Sequence, residues 1–442
     1  MKKQRTWIPL FCGILLCFAA NSGALLYRHP AATAGVIAFT LLSNLLPVFA
    51  GSGILRTRLR FLIHGNTCLI LFLTGALISI PCQLALAVIY LFREPMVWLI
   101  SVLVCIGVLA LIFWNGIISI YCTSWQLGLK KRIIGALCGM IPVVNLIVLL
   151  GMLKVVNEEI RFETEKALHN HHRKQNRVCA TRYPILLVHG VFFRDNRHFN
   201  YWGRIPDELI QNGAKIYYGD QPSAASIADC ASFLTERIRR IVSETGCEKV
   251  NIIAHSKGGL DSRYAIAFCG AAPYVASLTT INTPHRGCKF ADYLLEKIPL
   301  DAQQAVAATY NKALGKLGEA DADFMAAVRD LTSGHCAALD QTMPLPEGIY
   351  GRSIGSKLNK ASGGKFPLNF TYHLVHHFDG GNDGLVGEES FQWGQDYLFL
   401  QTGAVQGISH GDMIDLNRTN LPCFDVREFY VQLVADLKQK GL

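Results

Sequence analysis

Acidic side chains are missing from every long apolar run in the first 155 residues of this 442-residue chain, and those runs hold a single histidine, His64. Without carboxylates inside such segments an ion-coupled pathway has little to work with. A transport or partner-binding role for this half, with the rest as an appendage, therefore ranks below a plain anchor. Paired cysteine spacing is missing too. Seven cysteines lie beyond residue 155 (Cys179, Cys230, Cys247, Cys269, Cys288, Cys336 and Cys423), an odd and scattered set. That excludes a disulfide framework and points to a reducing compartment or an anaerobic habitat. His169, His171 and His172 have no cysteine or carboxylate at ligand spacing, which argues against a metal site there. No internal repeat is apparent. The net charge of +9 comes largely from basic residues beside the apolar runs, so it suits lipid headgroups and not nucleic acid.

What is present is apolar bulk, 51% of the chain, concentrated in the first third. A bilayer core of about 30 Å needs about 20 apolar residues in a helix. Five candidate spans follow, at 7–27, 34–55, 62–92, 97–121 and 133–155. The third is too long for one upright helix, so it tilts or kinks near Pro81. The fifth carries Pro142 and Asn145, which marks a broken or shallow helix. Lys2, Lys3 and Arg5 would suit a signal peptide, but the apolar run that follows closely favours an uncleaved anchor. The bulky Leu16 before Cys17 argues against a lipoprotein site.

Basic clusters at residues 2–5, 56–60 and 130–132 alternate along the loops, placing the N-terminus in the cytoplasm and, with five spans, the C-terminal part outside. The basic stretch from Lys154 to Arg177 and the unpaired cysteines pull the other way. The chain thus divides into a multi-span helical region at 1–155, a polar linker at 156–180 and a third part at 181–442. Within the linker, 157–177 reads as a short helix followed by a solvated segment.

From Tyr183 onward, Ile- and Val-rich runs at 185–188, 215–218, 250–254, 275–281 and 349–354 alternate with amphipathic segments at 227–242 and 260–268, and 426–440 reads as a last helix. Such alternation implies an α/β fold, a mostly parallel sheet covered by helices on both faces. The sequence Val250-Asn-Ile-Ile-Ala-His-Ser256-Lys-Gly-Gly places a serine between a strand and a helix. Small residues, Ala254 and Gly258, stand two before and two after it, as a nucleophile on a sharp turn requires.

Backbone N–H groups of Lys257 and of Val191, after the His189-Gly190 turn, are the expected donors to an oxyanion. His189 precedes the serine and reads as structural. In the chain order Ser, Asp/Glu, His, the one histidine after His377 is His410, the expected base. Asp379, Asp383 and Asp396 are candidates for the carboxylate that orients it, with Asp383 favoured and Asp379 next. None of this chemistry requires a cofactor.

These stretches, together with Tyr201-Trp202, Arg263-Tyr264, Thr283-Pro-His-Arg-Gly287, Asn382-Asp-Gly-Leu-Val386 and His410-Gly-Asp412, resemble the bacterial triacylglycerol lipases, an α/β-hydrolase family, in order over 183–442. The resemblance implies Ser256, Asp383 and His410 as catalytic residues, and Val191 and Lys257 as oxyanion donors. Asp412 matches one ligand of that family's structural calcium, but Leu416 stands where a side-chain amide would follow. The family's disulfide has no second cysteine, since only Cys423 remains. The lid segment, 292–323, is only mildly apolar, which suits a tethered enzyme and also permits esterase or phospholipase activity. The resulting expectation is an integral membrane serine hydrolase acting on lipid or other acyl esters, with acyl transfer on the same triad as the alternative. The domain side leans extracytoplasmic, and nothing bears on oligomeric state.

Overall fold

The computed structural model describes residues 7–26, 29–45, 53–139, 141, 143–191, 200–316 and 323–442. The chain forms two compact units, Met1–His172 and Arg173–Leu442.

The first unit is helical. Trp7–Ala20 and Pro30–Ser43 are each 14 residues, about 21 Å at 1.5 Å per residue. Both are shorter than the first two expected spans; parts of those spans, at 27 and 46–52, lie outside the described residues. Thr57–Tyr90 is one 34-residue helix that carries Pro81 within it. Pro95–Thr123 follows over 29 residues. Among the described residues these two are the helices long and apolar enough to cross a membrane.

The fifth expected span is divided between Gly128–Cys138 and Val144–Arg173, as Pro142 foreshadowed. The second of these helices runs through most of 157–177, so that stretch is helical up to Arg173 and not a short helix with a solvated tail. Its Glu159 carboxylate is buried and accepts hydrogen bonds from Arg58 Nη1 at 2.7 Å, Ser124 Oγ at 2.6 Å and the Trp125 and Gln126 N–H groups. A buried carboxylate is tolerated only with such partners.

The second unit is built on six parallel strands, β1 (Ile185–Val188), β2 (Ile216–Tyr218), β3 (Val250–His255), β4 (Val275–Ile281), β5 (Tyr350–Ser356) and β6 (Asp396–Leu400), in the order β2-β1-β3-β4-β5-β6. Strands buried on both faces read as continuous apolar runs, and β1, β3 and β4 are buried at every position. Alternate side chains divide between two cores. Ile185, Leu187, Ile253 and Ile354 meet the Ile205–Gln211 and Val426–Gln439 helices on one face. On the other, Leu186, Val188, Ile252 and Leu278 meet Ile227–Thr245 and Lys257–Phe268.

All strand C-terminal ends therefore lie along one edge. The chain moves outward from β1 to β2 and then returns past β1 to β3. That reversal opens a crevice between the ends of β1 and β3, where open α/β sheets bind ligands.

One segment takes a form that its residue types do not favour. Residues 370–375 look strand-like, yet they lie inside the helix Leu368–Asp379. Phe370, Tyr372 and Val375 favour strands, but Val375 alone in this helix is buried, and Phe370 is exposed. Burial on one helical face outweighs the weak intrinsic preference.

A buried ion pair ties this unit together. Arg204 Nε and Nη2 donate to the two oxygens of Asp415, each at 2.7 Å, and the Arg204 N–H adds a third bond at 2.8 Å. Removing one partner of such a pair leaves an uncompensated buried charge, at a cost of about 3–5 kcal/mol. Asp415→Ala is expected to lower unfolding stability by that amount in a denaturant titration.

Candidate active site

Ser256 directly follows β3 and stands at the N-cap of the Lys257–Phe268 helix with φ 54° and ψ −133°. Few non-glycine residues adopt such a conformation unless their surroundings hold them there. Here the Ser256 N–H donates to Ile281 O at 2.9 Å, and its carbonyl accepts from Thr283 Oγ1 at 2.8 Å. The need for small neighbours is visible in distances. A Cβ on Gly258 would lie 2.3 Å from His189 O, and one on Gly190 would lie 2.7 Å from Ser256 Cβ. The serine turn thus packs directly against the turn after β1.

His410 and Asp383 come together across 27 residues. His410 Nδ1 is 2.6 Å from Asp383 Oδ2, and the His410 N–H donates to Asp383 O at 2.9 Å. Asp383 is fully buried. Its Oδ2 also accepts from Asn282 Nδ2 at 2.6 Å, and its Oδ1 accepts from the Leu385 and Val386 N–H groups at 2.9 and 2.8 Å. With four donors around it, the carboxylate cannot rotate freely. An acceptor at Nδ1 fixes the proton there and leaves His410 Nε2 as the basic nitrogen.

The rival carboxylates are occupied elsewhere. Asp379 pairs with Lys289 at 3.3 Å, and burial raises its pKa. Asp396 accepts from the Tyr350 hydroxyl at the sheet edge.

Ser256, His410 and Val191 all line one cavity of about 440 Å³. Its wall is mostly aliphatic and aromatic, with Leu294, Ile298 and Val306 from the Lys289–Lys297 to Leu300–Lys316 segment and Leu385, Val386 and Leu416 opposite. Residues 317–322 of the expected lid lie outside the described residues. The segment is less polar on its exposed side than its composition suggests, since Leu300 and Val306 are more than half exposed.

Lys257, whose N–H is the second expected oxyanion donor, is the first helical residue after Ser256. Its side chain turns away into the core, where Nζ meets Asp261 at 2.7 Å and Cys230 Sγ at 3.4 Å. Burial opposes the Lys257 charge, but Asp261 outweighs it and the pKa rises; burial pushes Asp261 up to about 6 against the pull of Lys257.

His189 is fully buried, with Nδ1 against Gly190 O and Nε2 against Gln221 O, a structural placement. Asp412 is spent on Ser409, accepting from its N–H at 2.9 Å and its Oγ at 2.6 Å. Leu416, at the position where the resemblance expects a side-chain amide, offers no oxygen, and no group of three or more His, Cys, Asp or Glu side chains among the described residues is placed to hold a metal ion. All fourteen cysteines are free thiols.

Four residues beside the site have roles that the sequence reading did not assign. Asn282, at φ 46°, bridges Asp383 and Ser356. Its only sequence signal is a place at the end of β4. Thr283 braces the nucleophile carbonyl. Tyr201 and His255 contact one another beside the cavity at 2.7 Å.

No protein-family model matches the chain. Over 183 residues it is 36% identical to a triacylglycerol lipase of Pseudarthrobacter phenanthrenivorans, a match covering 38% of this chain and 55% of the relative. A triacylglycerol lipase of Burkholderia plantarii is also 36% identical, over 38% of this chain and 49% of that protein. The chain thus spans about half the length of these curated relatives. Among solved structures, Staphylococcus hyicus lipase superposes with a TM-score of 0.46 at 18% identity, covering 59% of this chain and 97% of that one. The motif resemblance to bacterial triacylglycerol lipases is therefore matched by sequence similarity over an extended segment.

Proposed function

We propose that this protein hydrolyses carboxylic esters of lipids through an acyl-enzyme at Ser256, and that its N-terminal helices hold it in a membrane. The observation that carries the reading is the His410–Asp383 pair, which opens into the same apolar cavity as Ser256. The similarity to proteins named triacylglycerol lipase supports the choice of substrate.

In this mechanism His410 Nε2 removes the Ser256 proton as Oγ attacks the ester carbonyl. Asp383 holds the imidazole in the useful tautomer and stabilises the imidazolium that forms. The negative oxygen of the tetrahedral intermediate is received by the N–H groups of Val191 and Lys257 at the helix start. Collapse releases the alcohol, which takes the proton from His410. Water, activated by the same histidine, then frees the fatty acid. The apolar cavity receives the acyl chain.

Membrane residence is supported by the two helices long enough to span a bilayer, and it would keep the site near insoluble substrate. A compartment-sensitive reporter on the C-terminus assigns the side of the membrane. The substrate reading is tested with p-nitrophenyl esters of graded acyl length, using the full chain in detergent. Longer acyl chains are expected to raise kcat/KM by about tenfold or more over acetate, because each buried methylene contributes about 0.8 kcal/mol. A flat or inverse profile with chain length would remove the lipid assignment while leaving ester hydrolysis.

A further inference from the structure

Tyr201 and His255 belong to neither the triad nor the oxyanion donors, yet both line the cavity and both are buried. The Gly190 N–H donates to Tyr201 Oη at 3.0 Å. Tyr201 Oη lies 2.7 Å from His255 Nδ1. His255 Nε2 lies 3.2 Å from the carbonyl oxygen of His410, whose N–H in turn donates to Asp383 O.

The proton positions follow from the two ends. A carbonyl can only accept, so His255 Nε2 carries the hydrogen. A main-chain amide can only donate, so Tyr201 accepts from Gly190 and passes its own proton toward His255 Nδ1. This chain requires a neutral His255. Burial and the adjacent His410 ring, 4.4 Å away between centroids, hold its pKa well below 6.5.

We propose that Tyr201 and His255 form a positioning relay that sets the oxyanion turn at Gly190–Val191 in register with the loop carrying His410. This rests on the ester-hydrolase reading above. The relay spans the crevice between the ends of β1 and β3, and it links the residue preceding one oxyanion donor to the main chain of the residue that takes the proton. A neutral His255 of fixed tautomer also keeps a second positive charge away from the imidazolium formed during attack. Its loss is therefore felt in the transition state and not in substrate binding.

The test measures kcat and KM for a soluble p-nitrophenyl ester, inactivation by a p-nitrophenyl phosphonate and the thermal midpoint. Wild type, Tyr201→Phe, His255→Gln and the double variant are compared in the full chain. Tyr201→Phe keeps the ring and deletes only the hydroxyl. It is expected to lower kcat and the phosphonate inactivation rate together by about 10–100-fold, below the about 10²–10³ of an oxyanion donor lost outright, with KM within about twofold. Because the two residues act as one unit, the double variant is expected to fall no further than the worse single variant.

A Tyr201→Phe kcat within about threefold of wild type, a change confined to KM, or fully additive losses would overturn the relay. If Tyr201→Phe does not fold, His255→Gln decides on the same criteria. An active wild type with an indifferent Tyr201→Phe sinks the relay alone, whereas an inert wild type sinks the underlying ester-hydrolase reading with it.

Discussion

Ser256→Ala is expected to lower ester turnover by about 10⁶-fold, the usual cost of losing the nucleophile of such a unit, while the protein stays folded. The two halves of that expectation have separate causes. Alanine keeps the Cβ that packs against Gly190, and the backbone bonds from the 256 N–H to Ile281 O and from Thr283 Oγ1 to the 256 carbonyl do not involve the serine hydroxyl. The strained turn is therefore retained and the thermal midpoint should be nearly unchanged. What disappears is the oxygen that would form the acyl-enzyme. Parallel thermal melts and p-nitrophenyl ester assays check both halves. Residual turnover within tenfold of wild type would mean that the reaction passes through another group.

Asp383→Asn is expected to reduce kcat by about 10⁴-fold. The substitution is nearly isosteric, but an amide cannot accept from four donors. Either its NH₂ faces Asn282 Nδ2 and His410 Nδ1, or it faces the Leu385 and Val386 N–H groups. In the first arrangement His410 is driven to the wrong tautomer, with its proton on the nitrogen that should act as base. In the second, two backbone donors lose their acceptor in a fully buried place, at about 1–3 kcal/mol for each unsatisfied group. Stability should fall together with activity. Asp379→Asn and Asp396→Asn serve as controls, since those carboxylates face Lys289 and Tyr350. Each should leave kcat within about threefold. A larger loss in Asp379→Asn than in Asp383→Asn would reverse the assignment.

Much of the second unit is legible in its sequence, for identifiable reasons. Strands buried on both faces must be apolar throughout, so 185–188 and 275–281 stand out as runs and coincide with β1 and β4. His410 could be selected because the chain order leaves one histidine after His377, and Asp383 because it sits in a turn that supplies its own backbone donors at 385 and 386.

The missed features depend on distant residues. Asn282 acquires its role from a carboxylate 101 positions away. Tyr201 and His255 meet across 54 positions, and no local pattern announces a hydrogen bond of that separation. The segment around Phe370 has strand-like residues, and only packing on one helical face decides its form. In the first unit, apolar composition marks where helices can lie, but helix length depends on breaks. The chain turns at residues 21–22, between Trp7–Ala20 and Gly23–Leu26, and the fifth run divides near Pro142.

The central claim is that Ser256 is a nucleophile activated by His410, and covalent labelling tests it most directly. The full chain in detergent is treated with a fluorophosphonate, digested with trypsin and analysed by mass spectrometry. One adduct is expected, on the peptide 250–257 at Ser256, and it should be nearly absent in His410→Ala. Labelling of a different residue, or equal labelling of Ser256 without His410, would contradict the account.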